Sequence, residues 1–372
     1  MASRIKAARQ ERDWSQTRLI GELERVAARR GVTLPSRETL KSRVSRWENN
    51  HAKPDDFYRQ LLREALGLDD RELGFEPDSD SAVVPAVDEL VAALNSSPTP
   101  DGTLLGALRA QTEAIRLQDR QYGAGALLEQ MRAHVANIER HLKHAVFETS
   151  RKPLAWQLAD AAALAGWQAL DLGALDQAWR FFEAASAAAQ QADDVALFAF
   201  ARMEQAHVLQ ELTKSVAAAQ LAQSVWDQAG VRVQPSMRCW LAAATAEMLA
   251  VGGDSLSSVA MLHSAESQVE ALQGERPPYL VFNATHLDRW VGHTLALLGD
   301  SAAEQRLRQA EAEMDASFTR ASASLGLDLA TSLLRRGEQE EANERIAQAE
   351  LLARRVGSRR QLARAQRLRT AS

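Results

Sequence analysis

The sequence is poor in cysteine and in aromatic residues. Its 372 residues include one cysteine, Cys239, so no disulfide within the chain and no zinc site of paired cysteines is available. We expect Cys239 to be a buried thiol. Aromatic residues make up 5% of the chain and alternating runs of Val, Ile and Thr are nearly absent, whereas alanine is abundant. This composition favours closely packed helices over sheets, and we predict an all-α protein.

Long apolar runs are also absent. The sequence contains no stretch of about 18 uncharged apolar residues, the length that a membrane-spanning helix needs. The first residues, Met-Ala-Ser-Arg-Ile-Lys, carry charge but not the apolar segment of a signal peptide. We therefore predict a cytoplasmic protein with no membrane partner.

The motifs that usually announce catalysis are missing. The sequence has no phosphate-binding loop, no GxGxxG, GxSxG or HExxH motif, no paired cysteines and no EF-hand pattern. His134, His141 and His144 lie on one predicted helix, from Arg120 to Phe147, but lack a further ligand, so we expect packing or surface roles for them. We predict that the protein is not an enzyme and uses no cofactor or metal.

Residues 40–49, Leu-Lys-Ser-Arg-Val-Ser-Arg-Trp-Glu-Asn, predict a helix with two different faces. Leu40, Val44 and Trp47 recur at the spacing of one buried helix face. The opposite face carries short polar groups bordered by cations, which suits base edges and phosphates in a major groove. An ordinary amphipathic helix with a solvated face is the alternative. The residues of the polar face and its flanks are Ser42, Ser45, Asn49, Lys41 and Arg46.

The neighbouring segments carry a family resemblance. Ser-Gln-Thr-Arg-Leu at 15–19, Ser-Arg-Trp-Glu-Asn at 45–49 and Lys-Pro at 53–54 resemble the helix-turn-helix of the Cro and lambda-repressor type, the XRE family. Serines at 15 and 36 fit helix N-caps, and Gly31 is expected to end the helix that Ser15 begins. The resemblance implies a lambda-repressor-like domain that binds double-stranded DNA, with Trp47 as a packing residue.

The same resemblance assigns roles in DNA binding. It implies phosphate contacts by Gln16, Asn49 and Lys53. It also implies that Arg46 contacts backbone or base. The positions implied to read bases are Lys41, Ser42, Arg43 and Ser45. The stretch between Gln16 and Trp47 is longer than the family's usual short turn, so either the second helix is extended or a loop is inserted. Arg37 joins the predicted DNA-binding set for that reason.

Charge is distributed unevenly along the chain. Residues 1–54 hold 13 Lys and Arg against 6 Asp and Glu, a net charge of +7, although the whole chain carries −5. A basic segment on an acidic protein is what local attraction to phosphate requires. We therefore expect the protein to be associated with the nucleoid.

Proline, serine and acidic residues cluster between residues 76 and 102, which indicates a linker. We predict a helix-turn-helix domain over 1–75, this linker over 76–102, and a helical repeat domain over 103–372. Within the last region, Gly166, Ala178, Phe182 and Ala185 stand at offsets of 12, 4 and 3 residues. The same offsets recur around 246–265, 291–310 and 330–349, which predicts stacked helical hairpins.

These hairpins resemble tetratricopeptide (TPR) repeats, and together with the head they resemble actinobacterial XRE-family transcriptional regulators with a C-terminal TPR-like domain. The resemblance implies a TPR-like α-solenoid. First helices of each hairpin line the concave side of such arrays, so polar residues there are candidates for binding a ligand. The candidates are Arg202, Gln205, Asn283, His286 and Arg289. Solvated or bridging side chains are the alternative for each, and we assign the tryptophans to the core.

The arginine-rich tail, residues 354–369, is expected either to cap the solenoid or to contact DNA in a dimer. The sequence thus favours a homodimeric, sequence-specific transcriptional regulator that binds an inverted-repeat operator. Its repeats would sense a peptide, a small ligand or a partner protein. The alternative is a TPR interaction scaffold whose head only tethers it weakly and non-specifically to DNA.

Overall fold

The computed structural model describes residues 3–30, 32, 34–75, 102–274 and 276–371. These residues form helices and no strands, so the predicted all-α class is confirmed. The chain divides into two compact units between residues 95 and 96. The predicted linker, apart from Gly102, lies outside the described residues. No helix in the described part of the chain is long and apolar enough to cross a membrane.

The first unit contains four described helices around one core: α1 (Arg4–Gln10), α2 (Gln16–Arg29), α3 (Arg37–Glu48) and α4 (Asp56–Leu66). The predicted caps form, because Ser15 accepts a hydrogen bond from the Arg18 amide and Ser36 accepts one from the Thr39 amide.

The long stretch between Gln16 and Trp47 divides between helix and connection. Helix α2 takes Gln16–Arg29, 14 residues, and α3 begins at Arg37. Gly31, expected to end α2, lies outside the described residues. Helix α3 therefore starts about one turn before Leu40.

The second unit contains thirteen described helices, which pack mainly on their neighbours in sequence. They are α5 (Gly102–Tyr122), α6 (Leu128–His144), α7 (Glu148–Asp171), α8 (Leu175–Gln191), α9 (Val195–Glu211), α10 (Ser215–Ala229), α11 (Pro235–Gly252), α12 (Ser255–Glu266), α13 (Ala284–Leu298), α14 (Ala303–Glu313), α15 (Thr319–Arg336), α16 (Gln339–Arg355) and α17 (Arg359–Ala371).

The repeated small and large positions hold each hairpin together. Gly166 of α7 faces Phe182 of α8 so closely that an added Cβ would lie 2.6 Å from the ring. Ser258 of α12 instead donates a hydrogen bond to the Ala246 carbonyl of α11, at 2.8 Å.

Cys239 is buried as expected, and burial raises the pKa of its thiol to about 12.

The predicted continuous helix from Arg120 to Phe147 was wrong. Helix α5 ends at Tyr122, and Gly123 follows with φ of +80°. A Cβ at Gly123 would overlap the Val356 carbonyl after α16, so only glycine allows this approach. The contact joins the first helices of the array to the last.

The tail helix α17 completes this closure. It packs on α7, α15 and α16. Ser358 donates a hydrogen bond to Asp171 of α7, and Arg360 pairs with Glu211 of α9 at 2.6 Å. The tail thus packs against the end of the array and pairs with its acidic residues, which agrees with the first of the two roles expected for it.

Candidate functional sites

Helix α3 presents a polar, cationic face. Leu40, Val44 and Trp47 are buried in the core of the first unit, at 0%, 0% and 5% exposure. Lys41 and Arg46 are exposed on the other side. Among the described residues, their side chains make no hydrogen bond and no ion pair. The two cations are therefore available to an outside partner.

The other predicted DNA-binding side chains of this region differ in exposure and in their contacts within the unit. Ser42 and Lys53 are exposed, whereas Ser45 is half-buried. The Arg43 guanidinium lies 5.0 Å from the centre of the Tyr58 ring, which fixes its direction. Asn49 donates a hydrogen bond to the Ser45 carbonyl at 2.8 Å.

Arg37 and Gln16 have partners within the unit. Arg37 pairs with Glu24 of α2 at 2.8 Å, on the surface. The half-buried Gln16 donates its amide to Glu48 at 2.8 Å. Neither group is as free as Lys41 or Arg46, although both lie in the helices predicted to carry the interface.

A buried charged cluster fixes α3 to its neighbours. Arg9 of α1 binds Glu48 through two hydrogen bonds, at 2.6 and 3.0 Å, and also donates to the Trp14 carbonyl. Burial would raise the pKa of Glu48, but the hydrogen bonds from Arg9 and Gln16 lower it below its usual value. The cluster was not predicted; the signal for it was an arginine, Arg9, at core spacing with Ile5 and Ala8.

The second unit encloses a cavity of about 540 Å³ on its concave side. Aromatic side chains from several helices form much of its apolar wall. They are Trp167, Phe200, Trp240, Tyr279, Trp290 and Phe318. Trp240 is a core residue as expected, at 2% exposure, and Trp167 and Trp290 are partly buried against the core, so these tryptophans also form part of the cavity wall. A cavity of this size and mixed lining is typical of sites for small ligands.

Ion pairs across this concave side join helices that are distant in sequence. Arg320 of α15 binds Asp119 of α5 at 3.1 Å and Asp171 of α7 at 2.8 Å. Arg364 of α17 pairs with the buried Asp328 of α15. Because buried charges are retained only when they are partnered, these pairs hold the closed array in one arrangement.

A chain of histidines and carboxylates continues the network. His293 Nε2 lies 3.4 Å from Glu247, and its Nδ1 lies 2.6 Å from Asp328. His207 lies 3.7 Å from the same Glu247. Burial lowers the pKa of His293, but Asp328 and Glu247 outweigh it and raise the pKa to about 9. His293 is therefore a cation at neutral pH.

Three arginine side chains of the cavity wall, those of Arg120, Arg289 and Arg367, make no hydrogen bond and no ion pair among the described residues. Arg367 is exposed, whereas Arg120 and Arg289 are half-buried. The Nε of Arg289 is fully buried without a partner. Burial lowers the pKa of the Arg289 and Arg120 guanidinium groups. These two are therefore the half-buried charges of the cavity wall that lack a partner among the described residues.

The five candidate ligand residues separate into two groups. His286 and Arg289 line the cavity as expected. Arg202 and Gln205 do not line it; they hydrogen-bond to each other at 2.5 Å. Asn283 caps α13 by accepting from the His286 amide, and its side chain also contacts the His286 ring at 2.6 Å.

The cavity residues Arg120, Arg320 and Arg360 were not predicted from the sequence, since their helices meet only in the folded array.

Comparison with known proteins finds no matching family model and no matching curated sequence. Among solved structures, the chain is similar to a Podosopora anserina chain assigned as a kinesin light chain with nearly identical TPR-like repeats. That match has 16% identity and a TM-score of 0.33, covering 67% of this chain and 97% of the other. It is also similar to Bacillus thuringiensis PlcR in complex with the peptide PapR7 and DNA. That match has 12% identity and a TM-score of 0.36, covering 94% and 98% of the two chains.

Proposed function

We propose that this protein is a sequence-specific DNA-binding transcriptional regulator. The observation that carries the proposal is α3, whose Lys41 and Arg46 are exposed and unpaired while its opposite face is buried. A rigidly packed helix with free cations can enter a major groove, with its small polar groups near base edges. The Glu48 cluster supports this role because it fixes the helix that would carry the contacts.

The proposal includes a homodimer whose two heads bind half-sites of an inverted-repeat operator about one helical turn apart. Its repeat unit senses an effector, a peptide, a small ligand or a partner protein, that alters the separation of the heads. The protein would act in the cytoplasm at the nucleoid, without a catalytic step.

The test is a selection of bound sites from random duplex DNA by the full chain at physiological salt. We expect an enriched inverted repeat bound at least about 10³-fold more tightly than random DNA. A scaffold with a weak tether would instead give steeply salt-dependent binding without sequence preference, and that outcome would overturn the proposal.

Variants locate the interface on α3. Arg46→Ala should weaken binding to the selected site by about 1–3 kcal/mol, without loss of helix content by circular dichroism. Arg25→Ala is the matched control, since Arg25 is exposed on α2 but already paired with Glu22 at 2.8 Å. Equal effects of the two variants would remove α3 from the interface.

A further inference from the structure

We propose that the concave cavity of the repeat unit binds a small amphipathic anion. Its acidic group, a carboxylate, sulfonate or phosphate, is held by Arg289 and Arg120, and its apolar body packs on the aromatic wall. The inference rests on the proposed function in one respect, that the bound molecule is the effector; binding itself is measured without DNA.

Arg289 carries the first part of the argument. Its Nε is buried without an acceptor, and its guanidinium lies 5.1 Å from the centre of the Trp290 ring, beside the cavity. A guanidinium offers five N–H donors in a planar fork that matches an acidic group. None of these donors has a partner among the described residues. An unsatisfied buried cation is costly unless an anion completes it.

Arg120 stands at the same part of the cavity. Its guanidinium lies 5.9 Å from the centre of Phe318, whose ring is 4.9 Å from that of His286. His286 precedes Arg289 by three residues on α13, so the two share a helix face. The two free cations therefore converge around His286 and Phe318.

Other arginines on the wall show what a structural role looks like. Arg116 binds Asp160, Arg320 binds Asp119 and Asp171, and Arg364 binds Asp328. Each of these joins one helix to another. Arg289 and Arg120 join nothing by an ion pair, so holding the array together does not explain why charge is present there.

The rest of the cavity describes the body of the ligand. Its volume of about 540 Å³ suits a molecule of drug size. Trp240 and Trp290 meet edge to face, with ring centres 6.3 Å apart, and Phe200 lies 5.0 Å from Trp240. Such a cluster offers flat apolar surface to aromatic or branched aliphatic groups.

His286 supplies a spectroscopic reporter. Burial and the positive charges of Arg289, Arg276 and Arg120 lower its pKa to about 4. An anion bound between these arginines cancels part of that repulsion, so the pKa of His286 should rise toward its usual value. A neutral ligand should leave it low.

The experiment uses two fluorescent probes with the same rings. Anilinonaphthalene sulfonate carries an acidic group and phenylnaphthylamine does not. We expect the full-length protein to bind the sulfonate at one site. Arg289→Gln and Arg120→Gln should each weaken that binding by about tenfold or more while changing binding of the neutral probe by less than about twofold. Circular dichroism verifies that each variant is folded.

Arg354→Gln is the control, because Arg354 is exposed and does not line the cavity. It should leave both affinities unchanged. The proposal is overturned if the sulfonate does not bind, if the two probes bind wild-type protein equally well, or if neither cavity variant weakens sulfonate binding.

Displacement of the bound sulfonate then distinguishes two kinds of ligand that could carry the acidic group, a peptide and a small organic acid. The tripeptide Ala-Leu-Phe with a free carboxylate tests a peptide end, and phenylbutyrate tests a small acid. In each case the corresponding amide should displace the probe far less; equal displacement by acid and amide contradicts the proposal. Because operator binding is measured separately, failure here leaves the DNA-binding assignment standing, and the reverse also holds.

Discussion

Both units of this protein depend on arginine and lysine, but in opposite environments. Lys41 and Arg46 of α3 lie in water without partners. Arg320 and Arg364 lie on the concave side of the repeat unit, in pairs with buried carboxylates. Exposed cations cost little to leave unpaired, whereas buried ones need an opposite charge.

The difference shows that a cationic side chain with a structural role is distinguished from one with a functional role by its ion pairing as well as by its exposure. In the first unit the unpaired cations are exposed and the buried one, Arg9, is paired with Glu48. In the repeat unit Arg289 departs from that rule, because its Nε is buried and unpaired although the residue is half-buried. The predictions below test the comparison from its strongest point to its weakest.

Removing a buried carboxylate of the repeat unit should have the largest effect. Asp328→Asn leaves His293 and Arg364 without their shared partner, and we expect a loss of about 3–5 kcal/mol in the free energy of unfolding. Urea denaturation measures it. Asp176→Asn, which breaks the exposed pair with Arg180, should cost no more than about 0.5 kcal/mol. Equal losses of unfolding free energy in the two variants would contradict the argument that buried ion pairs stabilise the unit more than exposed ones.

The stability of the repeat unit should fall at alkaline pH through His293. Its pKa is raised from 6.5 to about 9 by Asp328 and Glu247, against burial. The stabilisation is therefore full below pH 6.5 and is lost as pH rises through 9, on the order of 3 kcal/mol. Urea unfolding at several pH values measures this loss, and His293→Gln should abolish this part of the dependence. An identical pH profile in the variant would show that His293 is not its source.

Breaking the buried pair of the first unit should have an intermediate effect. Glu48→Gln removes the charge that Arg9 binds, and we expect about 2 kcal/mol of destabilisation of this unit. Thermal unfolding measures it. Glu24→Gln is the control, since its pair with Arg37 lies on the surface. A loss as large in the control as in Glu48→Gln would contradict the argument from burial.

Changing an exposed cation should affect DNA binding alone. Lys41→Ala should weaken binding to the selected site by about 1 kcal/mol and reduce the salt dependence by about one unit of slope, with unchanged stability. Lys143→Ala, an exposed lysine of α6, is the comparison variant. If Lys41→Ala destabilises the first unit instead, the lysine has a structural role.

Local features of this protein could be predicted from sequence. The apolar spacing of Leu40, Val44 and Trp47 and the caps at Ser15 and Ser36 depend on neighbours within a few residues. The hairpins followed from a repeated spacing such as Gly166 to Phe182. Such patterns are readable because they recur within one helix or one helix pair.

The cavity could not be predicted in the same way. Trp240 and Trp290 have the spacing of buried residues whether their helix face meets another helix or a cavity, and periodicity does not distinguish the two. Arg120 and Arg289 are separated by most of the repeat unit in sequence. Their convergence depends on how far the array curves, which is set by many small packing angles between helices.

The closure of the array by Gly123, Val356 and α17 also changes how it should unfold. An open solenoid melts progressively, because each repeat is held only by its neighbours. Here the C-terminal end is held to α7 through Ser358 and Asp171 and to α9 through Arg360 and Glu211. Neither end can fray without the other, so amide protons of α7 and α17 should exchange with solvent together, in a single cooperative opening.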